Sequence, residues 1–222
     1  MNTKLRKTSD GSYTLYSPSL DEHYHSVHGA VTESMHVFIG AGLNHCKKEE
    51  VRLLEIGLGT GLNAILTFIH AKDKKIYYHA IEKYPPDNEL IRQLDYSNFL
   101  SLDTNQSDVY FRLHDLSWNV EHKISPGFTF IKYKEDIKDI RLKDSFDVIY
   151  FDAFAPQVQP EMWENELFDK LYKHTNIGGV MVTYCAKGEV RRKMQKSGFA
   201  VERLQGPPGK REMLRAIKNR EQ

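Results

Sequence analysis

The sequence predicts an α/β fold in which helices cover both faces of a doubly wound, mostly parallel sheet. Three observations predict it. Apolar runs typical of buried strands alternate with segments of helical periodicity from Val51 onward. The first of these strands leads directly into a glycine-rich turn and a helix. An acidic residue, Glu82, then ends the second strand, a position that carries a ribose-binding carboxylate in nucleoside-binding sheets.

The composition is that of an ordinary soluble domain. The 222 residues are 40% hydrophobic and 27% charged, with a net charge of +1. No apolar run is long enough to cross a membrane and no secretory signal is visible, so we expect a cytoplasmic protein. Two cysteines, Cys46 and Cys185, make neither a disulfide framework nor a metal cluster. Basic residues are concentrated between Lys187 and Arg220, which predicts a local basic surface or a solvated helix face and tail.

Residues 1–45 are expected to form an N-terminal extension that packs on the main domain, residues 46–222. Asp10-Gly11 predicts the turn of a small hairpin, and the apolar spacing from Glu33 to Leu43 predicts a helix. This segment also holds four histidines, His23, His25, His28 and His36. Their spacing does not place them on one helix face and no cysteine joins them, so we expect no metal site.

The elements of the main domain follow from the pattern in order. Val51–Ile56 is aliphatic and ends at the glycines, and residues 62–69 repeat apolar side chains at helical spacing. A helix is predicted after Pro85-Pro86, because proline suits a first helical turn. Further helices are predicted at 160–174 and 188–197, and strands at 76–81, 108–114, 128–133, 146–151, 180–184, 199–204 and 213–217. The run at 146–151 is almost wholly apolar, which indicates a central strand. The two runs at 108–114 and 128–133 are interpreted as an inserted antiparallel hairpin, and Gly178-Gly179 as a turn.

The carboxyl ends of the parallel strands meet at one edge of such a sheet, where ligands bind. The glycine turn there reads E-x-G-x-G-x-G, with Glu55 before Gly57, Gly59 and Gly61. Carboxylates at this turn would repel a pyrophosphate and would suit a cationic nucleoside such as S-adenosylmethionine. The pattern therefore predicts an S-adenosylmethionine site.

Two further acids follow strands at the same edge. Asp152 opens D-A-F-A-P and could hold the donor's amino group, orient or deprotonate an incoming amine, or cap a turn. Asp136 would suit the adenine amino group, although a turn role explains it nearly as well. Phe154 and Trp163 follow Asp152 and could stack on a flat substrate, with a core position as the alternative for Trp163.

The chemical class of the methyl acceptor is limited by two motifs typical of base methylation. An Asn/Asp-Pro-Pro-aromatic turn, typical of adenine-amine methylation, does not occur after the strand that ends at Phe151. Carbon methylation of a pyrimidine needs a cysteine nucleophile, and Cys185 could serve, but it could equally be a packing residue. Direct transfer to a good nucleophile, such as an alkyl amine, remains, and an acid or carbonyl near Asp152 could take the amine's proton.

With these residues in place, the chain resembles the methyltransferase part of the MnmC/MnmD family of tRNA 5-methylaminomethyl-2-thiouridine biosynthesis proteins. The resemblance covers most of the chain from Asp21, in family order. It is carried by Y-H-S-x-x-G-A-x-x-E-S from Tyr24, H-V-F from His36, L-E-I-G-L-G-T-G-L-N from Leu54, Y-F-D-A-F-A-P from Tyr150, P-E-M-W from Pro160, G-E-V-R-R-K-M-Q-K-S-G-F from Gly188 and K-R-E-M-L from Lys210.

The resemblance implies a class I S-adenosylmethionine-dependent methyltransferase that methylates the 5-aminomethyl group of a wobble 5-aminomethyl-2-thiouridine in the tRNA anticodon loop. It implies Asp152 as the catalytic residue. It implies cofactor binding by Glu55, Gly57, Gly59, Gly61, Asn63, Glu82, Asp136 and Asp152. It implies substrate contacts by Tyr24, His25, Ser26, Glu33, Phe154, Trp163, Arg191, Arg192, Lys210, Arg211 and Glu212.

Two rival functions stay open at this point. An aminopropyltransferase uses a similar glycine loop and acids, although the basic C-terminal third disfavours a polyamine. A non-catalytic RNA-binding domain on the same fold is the other rival. We expect no flavin-binding oxidase domain in this chain, because 222 residues leave no room for it.

Overall fold

The computed structural model describes residues 3–220, which form an eight-stranded sheet, a separate three-stranded sheet and the helices that cover them. The strands of the small N-terminal sheet are β1 Lys4–Lys7, β2 Tyr13–Ser17 and β3 Glu22–His23. Those of the large sheet are β4 Glu50–Ile56, β5 Lys75–Ile81, β6 His122–Ser125, β7 Phe128–Tyr133, β8 Phe146–Phe151, β9 Thr175–Thr183, β10 Ala200–Gln205 and β11 Glu212–Ile217. Their order across the large sheet is β10-β11-β9-β8-β4-β5-β7-β6.

The helices connect these strands and cover the large sheet. They are α1 Ala30–Ser34, which continues as a π-helix over Met35–Leu43, α2 Leu62–His70, α3 Asn88–Gln93, α4 Tyr96–Phe99, α5 Thr104–Asp115, a 3₁₀-helix at Pro160–Trp163, α6 Asn165–Lys173 and α7 Gly188–Lys196. The described helices include none that is long and apolar enough to cross a bilayer.

The parallel strands set the position of the site. Strands β4, β5, β7, β8 and β9 run in the same direction, whereas β11 and β6 are antiparallel to their neighbours. All six residues of β8 are buried, as its apolar sequence predicts for a central strand. The ends of β4, β5, β7, β8 and β9 therefore lie along one edge. This arrangement confirms the predicted doubly wound, mostly parallel sheet.

Alternation along the central strands divides the core into two layers. Leu53, Val148 and Val182 belong to the layer that includes α2 and the π-helix. Leu54, Ile149 and Met181 belong to the layer that includes α6 and α7. Because successive side chains of a strand point to opposite faces, each strand contributes to both layers. The sheet is thus held from both sides, which fixes the edge where its strands end.

The segment 108–114 is a helix, so its prediction as a strand was wrong. It lies within α5, where Val109, Tyr110 and Leu113 are buried at helical spacing. Asp103 and Gln106 begin this helix with a reciprocal capping box, a start signal that outweighs the short apolar alternation. The inserted hairpin does exist, but β7 pairs with β6 instead.

The N-terminal hairpin and the Gly178-Gly179 turn were also predicted from the sequence, and only the hairpin is present. The predicted N-terminal hairpin is present, because β1 and β2 pair around Asp10-Gly11. Gly178 and Gly179 lie inside β9 and do not form a turn between elements. Gly178 has a φ of +76°, and the register between β8 and β9 shifts in this part of the strand. The boundary predicted near residue 45 stays a prediction.

Candidate active site

A cavity of about 1090 Å³ opens at the edge where the parallel strands end. Ligand sites of single small molecules range from about 300 to 1,000 Å³, so this cavity has room for a nucleoside cofactor and part of a second molecule. Its lining includes most of the residues predicted to form the site: Tyr24, His25, Ser26, Glu33, Gly57, Gly59, Asn63, Glu82, Asp136, Asp152, Phe154, Lys210, Arg211 and Glu212.

The glycine loop runs too close to its neighbours for any side chain at two positions. A Cβ on Gly57 would lie 2.5 Å from the Asp152 carbonyl oxygen, and one on Gly61 would lie 2.6 Å from Nε2 of His114. Both glycines have positive φ, at +88° and +72°. The loop is therefore packed against the end of β8 on one side and against α5 on the other. Gly61 itself is not part of the cavity lining.

Helix α5 also holds the loop by hydrogen bonds to one carbonyl group. The Tyr110 hydroxyl and Nε2 of His114 each donate to the Thr60 carbonyl oxygen at 3.1 Å. Burial, together with the nearby Lys132 ammonium, lowers the pKa of His114 to about 4. The imidazole is consequently neutral at physiological pH, with its proton on the nitrogen that faces Thr60. The segment that was predicted as a strand thus supports the loop.

Glu82 ends β5 and faces the cavity. Its carboxylate accepts hydrogen bonds from the backbone N–H groups of Gly59, at 3.0 Å, and Tyr84, at 2.8 Å. Burial raises its pKa, and these N–H groups oppose the rise. A carboxylate fixed in this way presents its remaining lone pairs to a ligand beside the glycine loop.

Asp136, which follows β7, is bound by a lysine ammonium and a backbone N–H group. Its carboxylate accepts from Lys83 Nζ at 3.0 Å and from the Lys138 backbone N–H at 2.9 Å. Burial favours a higher pKa for Asp136, but the Lys138 N–H and the Lys83 ammonium outweigh it and lower that pKa. Asp136 is therefore an ionised acceptor at the cavity wall.

Asp152 occupies the end of β8. Its carboxylate accepts a hydrogen bond from Asn63 Nδ2 at 2.9 Å. Burial, followed by the nearby negative charge of Glu33, raises its pKa to about 7, while Asn63 and the Lys210 ammonium act in the opposite direction. Asp152 can therefore exchange a proton near neutral pH. The second amide atom, Asn63 Oδ1, is buried and has no partner within the described part of the chain.

The opposite wall is assembled from segments far apart in sequence. Glu33 is 6% exposed, and its carboxylate accepts from the Ser26 backbone N–H at 3.2 Å and forms an ion pair with Lys210. The Lys210 ammonium lies 3.9 Å from the ring centroid of Tyr184, whose hydroxyl donates to the Ala153 carbonyl oxygen at 2.8 Å. This network joins the N-terminal segment, the end of β9 and the turn before β11.

Two aromatic rings complete this wall. Tyr24 and Phe154 pack edge to face, with ring centroids 5.1 Å apart. His25 lies beside them, and its Nδ1 is 3.1 Å from the Thr14 hydroxyl. Burial and the Lys210 ammonium lower the pKa of His25 to about 4, so its ring is neutral at physiological pH. The wall therefore presents aromatic and neutral surface to a flat molecule.

Two predicted site residues are core residues in the structure. Trp163 is 1% exposed, packs 4.9 Å from the Phe151 ring and donates from Nε1 to the Phe154 carbonyl oxygen at 2.8 Å. Its prediction as a stacking platform was wrong, although it supports the backbone of Phe154. Glu55 is fully buried beneath the loop and accepts from the Tyr78 hydroxyl at 2.8 Å. Its expected direct contact with a cofactor is therefore wrong, because the side chain is buried and does not line the cavity.

Arg191 and Arg192 lie on α7 outside the cavity lining. The sequence interpretation assigned no ligand role to three residues that do line the cavity, Lys83, Tyr84 and Tyr184. All three follow the ends of parallel strands, and this position was the available signal. Among the described residues, no group of three or more His, Cys, Asp or Glu is arranged to hold a metal ion.

Comparison with known proteins agrees with this geometry. Residues 121–219 match a family model described as S-adenosyl-L-methionine-dependent methyltransferase. The bifunctional tRNA 5-methylaminomethyl-2-thiouridine biosynthesis protein MnmC of Cupriavidus metallidurans is 30% identical over 93% of the chain and 32% of its own length. The MnmC protein of Burkholderia mallei is 27% identical over 90% of the chain and 33% of its own length. The chain thus spans about a third of the length of these curated relatives.

The crystal structure of MnmC2 from Aquifex aeolicus has the same fold. It superposes with a TM-score of 0.76 over 99% of this chain and 71% of its own, at 20% identity. The sheet order, the glycine loop and the acids at the strand ends had already indicated such a fold. Together with the sequence matches, they show that the chain has the class I S-adenosyl-L-methionine-dependent methyltransferase fold and is similar in sequence to part of the MnmC proteins.

Proposed function

We propose that the chain methylates the 5-aminomethyl group of wobble 5-aminomethyl-2-thiouridine in tRNA and gives 5-methylaminomethyl-2-thiouridine. The observation that carries the proposal is Asp152, a carboxyl group with a pKa of about 7 that faces the cavity beside the glycine loop. The relatives are named for the biosynthesis of this nucleoside. A cavity with room for a cofactor and part of a second molecule supports a reaction between a cofactor and a base.

The residues at the loop fit S-adenosylmethionine. The absence of side chains at Gly57 and Gly59 lets a ligand approach the backbone. Glu82 and Asp136 would accept from the ribose hydroxyls and the adenine amino group. Asn63 Oδ1, which lacks a partner within residues 3–220, is an acceptor for the cationic amino group.

When bound, S-adenosylmethionine supplies a methyl group activated by a positively charged sulfur. The amine that receives it must first be neutral, because an ammonium ion has no free electron pair. Asp152 can accept that proton at neutral pH, since its raised pKa matches the working range of a general base. Asn63 holds the carboxylate in place, and Phe154 with Tyr24 would position the base and exclude water.

We further propose that the substrate is an RNA loop and that the reaction takes place in the cytoplasm. A wobble base reaches a cavity at a strand edge only when it is splayed out of its stack, which single-stranded loops permit. Lys210 and Glu212 would contact the uridine, and Arg211 at the rim would meet the adjoining backbone. Arg191 and Arg192, outside the cavity, would meet phosphates farther along the anticodon stem-loop.

The experiment is mass analysis of nucleosides from tRNA that carries 5-aminomethyl-2-thiouridine, after incubation with the protein and S-adenosylmethionine. We expect one added methyl on this nucleoside and no change in matched tRNA whose wobble uridine lacks the aminomethyl group. Methylation of the second tRNA, or none of the first while calorimetry shows cofactor binding, would exclude the proposed acceptor. Putrescine with decarboxylated S-adenosylmethionine tests the aminopropyltransferase alternative in the same assay. If the protein binds RNA but transfers neither a methyl nor an aminopropyl group, the result would favour the alternative of a non-catalytic RNA-binding domain.

A further inference from the structure

A second, smaller groove of about 390 Å³ adjoins the main cavity. Tyr24, Lys83 and Tyr84 line both spaces, so the groove is a side branch of the cavity mouth. Its other walls are formed by residues that do not line the main cavity: Thr3, Pro85, Pro86, Asp87 and Lys134. A molecule that enters the main cavity and continues outward can therefore run into this groove.

Tyr84 is the central feature of the groove. Tyr84 is 50% exposed, more than any other Phe, Tyr or Trp among residues 3–220. Its backbone is fixed, because its N–H donates to Glu82 at 2.8 Å and two prolines follow it. Lys83 Nζ lies 5.1 Å from the ring centroid. An exposed ring on a fixed backbone is a stacking platform whose ordering requires little further loss of entropy.

The charge around the groove is positive. Lys134 is exposed and forms no ion pair with any of residues 3–220. Thr3 leads directly into β1, whose Lys4 and Arg6 are exposed as well. The one carboxylate in the groove wall, Asp87, is already engaged, since it accepts from the Glu89 N–H at 2.7 Å as the N-cap of α3. The groove therefore offers an aromatic face and one ammonium group, that of Lys134, without an ion-pair partner among residues 3–220.

We propose that this groove binds a nucleotide adjoining the methylated base in the RNA chain, with its base stacked on Tyr84 and its phosphate near Lys134. The proposal rests on the proposed function, which places a splayed nucleotide in the main cavity. Neighbouring nucleotides are covalently linked to that nucleotide and must then lie at the cavity mouth. A base–aromatic contact combined with basic side chains is the arrangement by which proteins hold single-stranded nucleic acid. An acidic peptide would use the lysines but would leave the exposed Tyr84 ring without a stacking partner.

The test compares Tyr84→Ala, Tyr84→Phe and Lys134→Gln with the unaltered protein. Lys143→Gln is the matched control, because Lys143 is an exposed lysine near the start of β8, at the opposite edge of the sheet. The substrates are an anticodon stem-loop RNA that contains 5-aminomethyl-2-thiouridine and the same modified nucleoside free in solution. RNA affinity is measured by fluorescence anisotropy at several salt concentrations, cofactor affinity by calorimetry, and methyl transfer by mass analysis.

We expect Tyr84→Ala to weaken stem-loop binding about tenfold, as loss of one base–aromatic stack predicts. Tyr84→Phe keeps the aromatic ring and should bind the stem-loop as the unaltered protein does. Lys134→Gln should weaken binding about threefold and lower the slope of log affinity against log salt by about one. Transfer to the free nucleoside and cofactor affinity should stay unchanged in Lys134→Gln, because Lys134 does not line the main cavity, and Lys143→Gln should behave like the unaltered protein.

Stem-loop binding unchanged in Tyr84→Ala would overturn the groove proposal, while methylation by the unaltered protein would leave the proposed function intact. A loss of cofactor affinity in Tyr84→Ala would also overturn it, because the ring would then belong to the cofactor site. If the unaltered protein neither binds nor methylates the stem-loop, the proposed function fails and the groove proposal fails with it.

Discussion

The two walls of the cavity are built in different ways. The wall that we propose holds the cofactor, the cofactor wall, consists of the glycine loop after β4, Glu82 directly after β5 and Asp136 three residues after β7, so short local segments create it. The wall proposed to hold the methyl acceptor is called the acceptor wall. The acceptor wall joins Tyr24, Glu33, Phe154 and Lys210, and the Glu33–Lys210 pair spans 177 residues of sequence. A wall made from strand ends is determined by the sheet itself, whereas a wall made from distant side chains depends on how separate segments pack. The two walls should therefore respond differently to substitution.

Asp152 lies between the walls, and its substitution should have the largest effect. In Asp152→Asn the amide oxygen can still accept from Asn63, but the side chain can no longer take a proton. We expect methyl transfer to fall by about 10²–10⁴-fold in single-turnover assays, with cofactor affinity changed only modestly. Asp144→Asn is the control, because this carboxylate pairs with Arg52 at 2.9 Å in the turn that precedes β8, away from the cavity. Near-normal turnover in Asp152→Asn would remove Asp152 from the mechanism.

The cofactor wall is tested by adding one methyl group to the glycine loop. A Cβ on Gly57 would lie 2.5 Å from the Asp152 carbonyl oxygen, so Gly57→Ala must displace the loop or the end of β8. We expect kcat/KM to fall by about 100-fold, because a displacement of the reacting groups by about 1 Å can reduce the rate by this factor. Gly178→Ala is the matched control, since Gly178 also has a positive φ but no atom lies within 4 Å of its added Cβ. Equal loss of activity in both variants would show that backbone strain alone explains the effect.

The acceptor wall is tested by the pH dependence of the rate. If Asp152 is the base, the rate rises with pH through its pKa of about 7, because only the ionised form accepts a proton. Glu33 raises this pKa and Lys210 lowers it. Glu33→Gln should therefore move the midpoint of the profile to lower pH, and Lys210→Met should move it to higher pH. Cofactor affinity, measured by calorimetry, should change little in either variant. Midpoints that move in the same direction would contradict this electrostatic control.

The strand-end pattern of the sequence accounts for the cofactor wall, whereas Tyr24, Glu33 and Lys210 of the acceptor wall were predicted only through the resemblance to a family. The glycine loop, Glu82 and Asp152 follow buried strands whose apolar runs are visible in the sequence. Trp163 could not be assigned, because a large aromatic near a site is equally suited to a core or a stacking platform. Tyr184 and its contact with Lys210 depend on tertiary packing, which local patterns do not contain.

The error at residues 108–114 has a different origin. The run V-Y-F-R-L alternates over too few residues to distinguish a strand from a helix. The capping pair Asp103 and Gln106 was a usable start signal for a helix. Because this segment was predicted as a strand, the sequence interpretation also gave no indication that Tyr110 and His114 support the glycine loop through the Thr60 carbonyl oxygen.

The ion pair between Glu33 and Lys210 also sets an order of events during protein synthesis. A ribosome makes Glu33 early and reaches Lys210 177 residues later, after the glycine loop and the end of β8 have emerged. The contact that joins these two segments of the acceptor wall can therefore form only after Lys210 has been synthesised. Under the proposed function, the residues that would hold the methyl donor are therefore synthesised before the lysine that completes the wall proposed to contact the RNA.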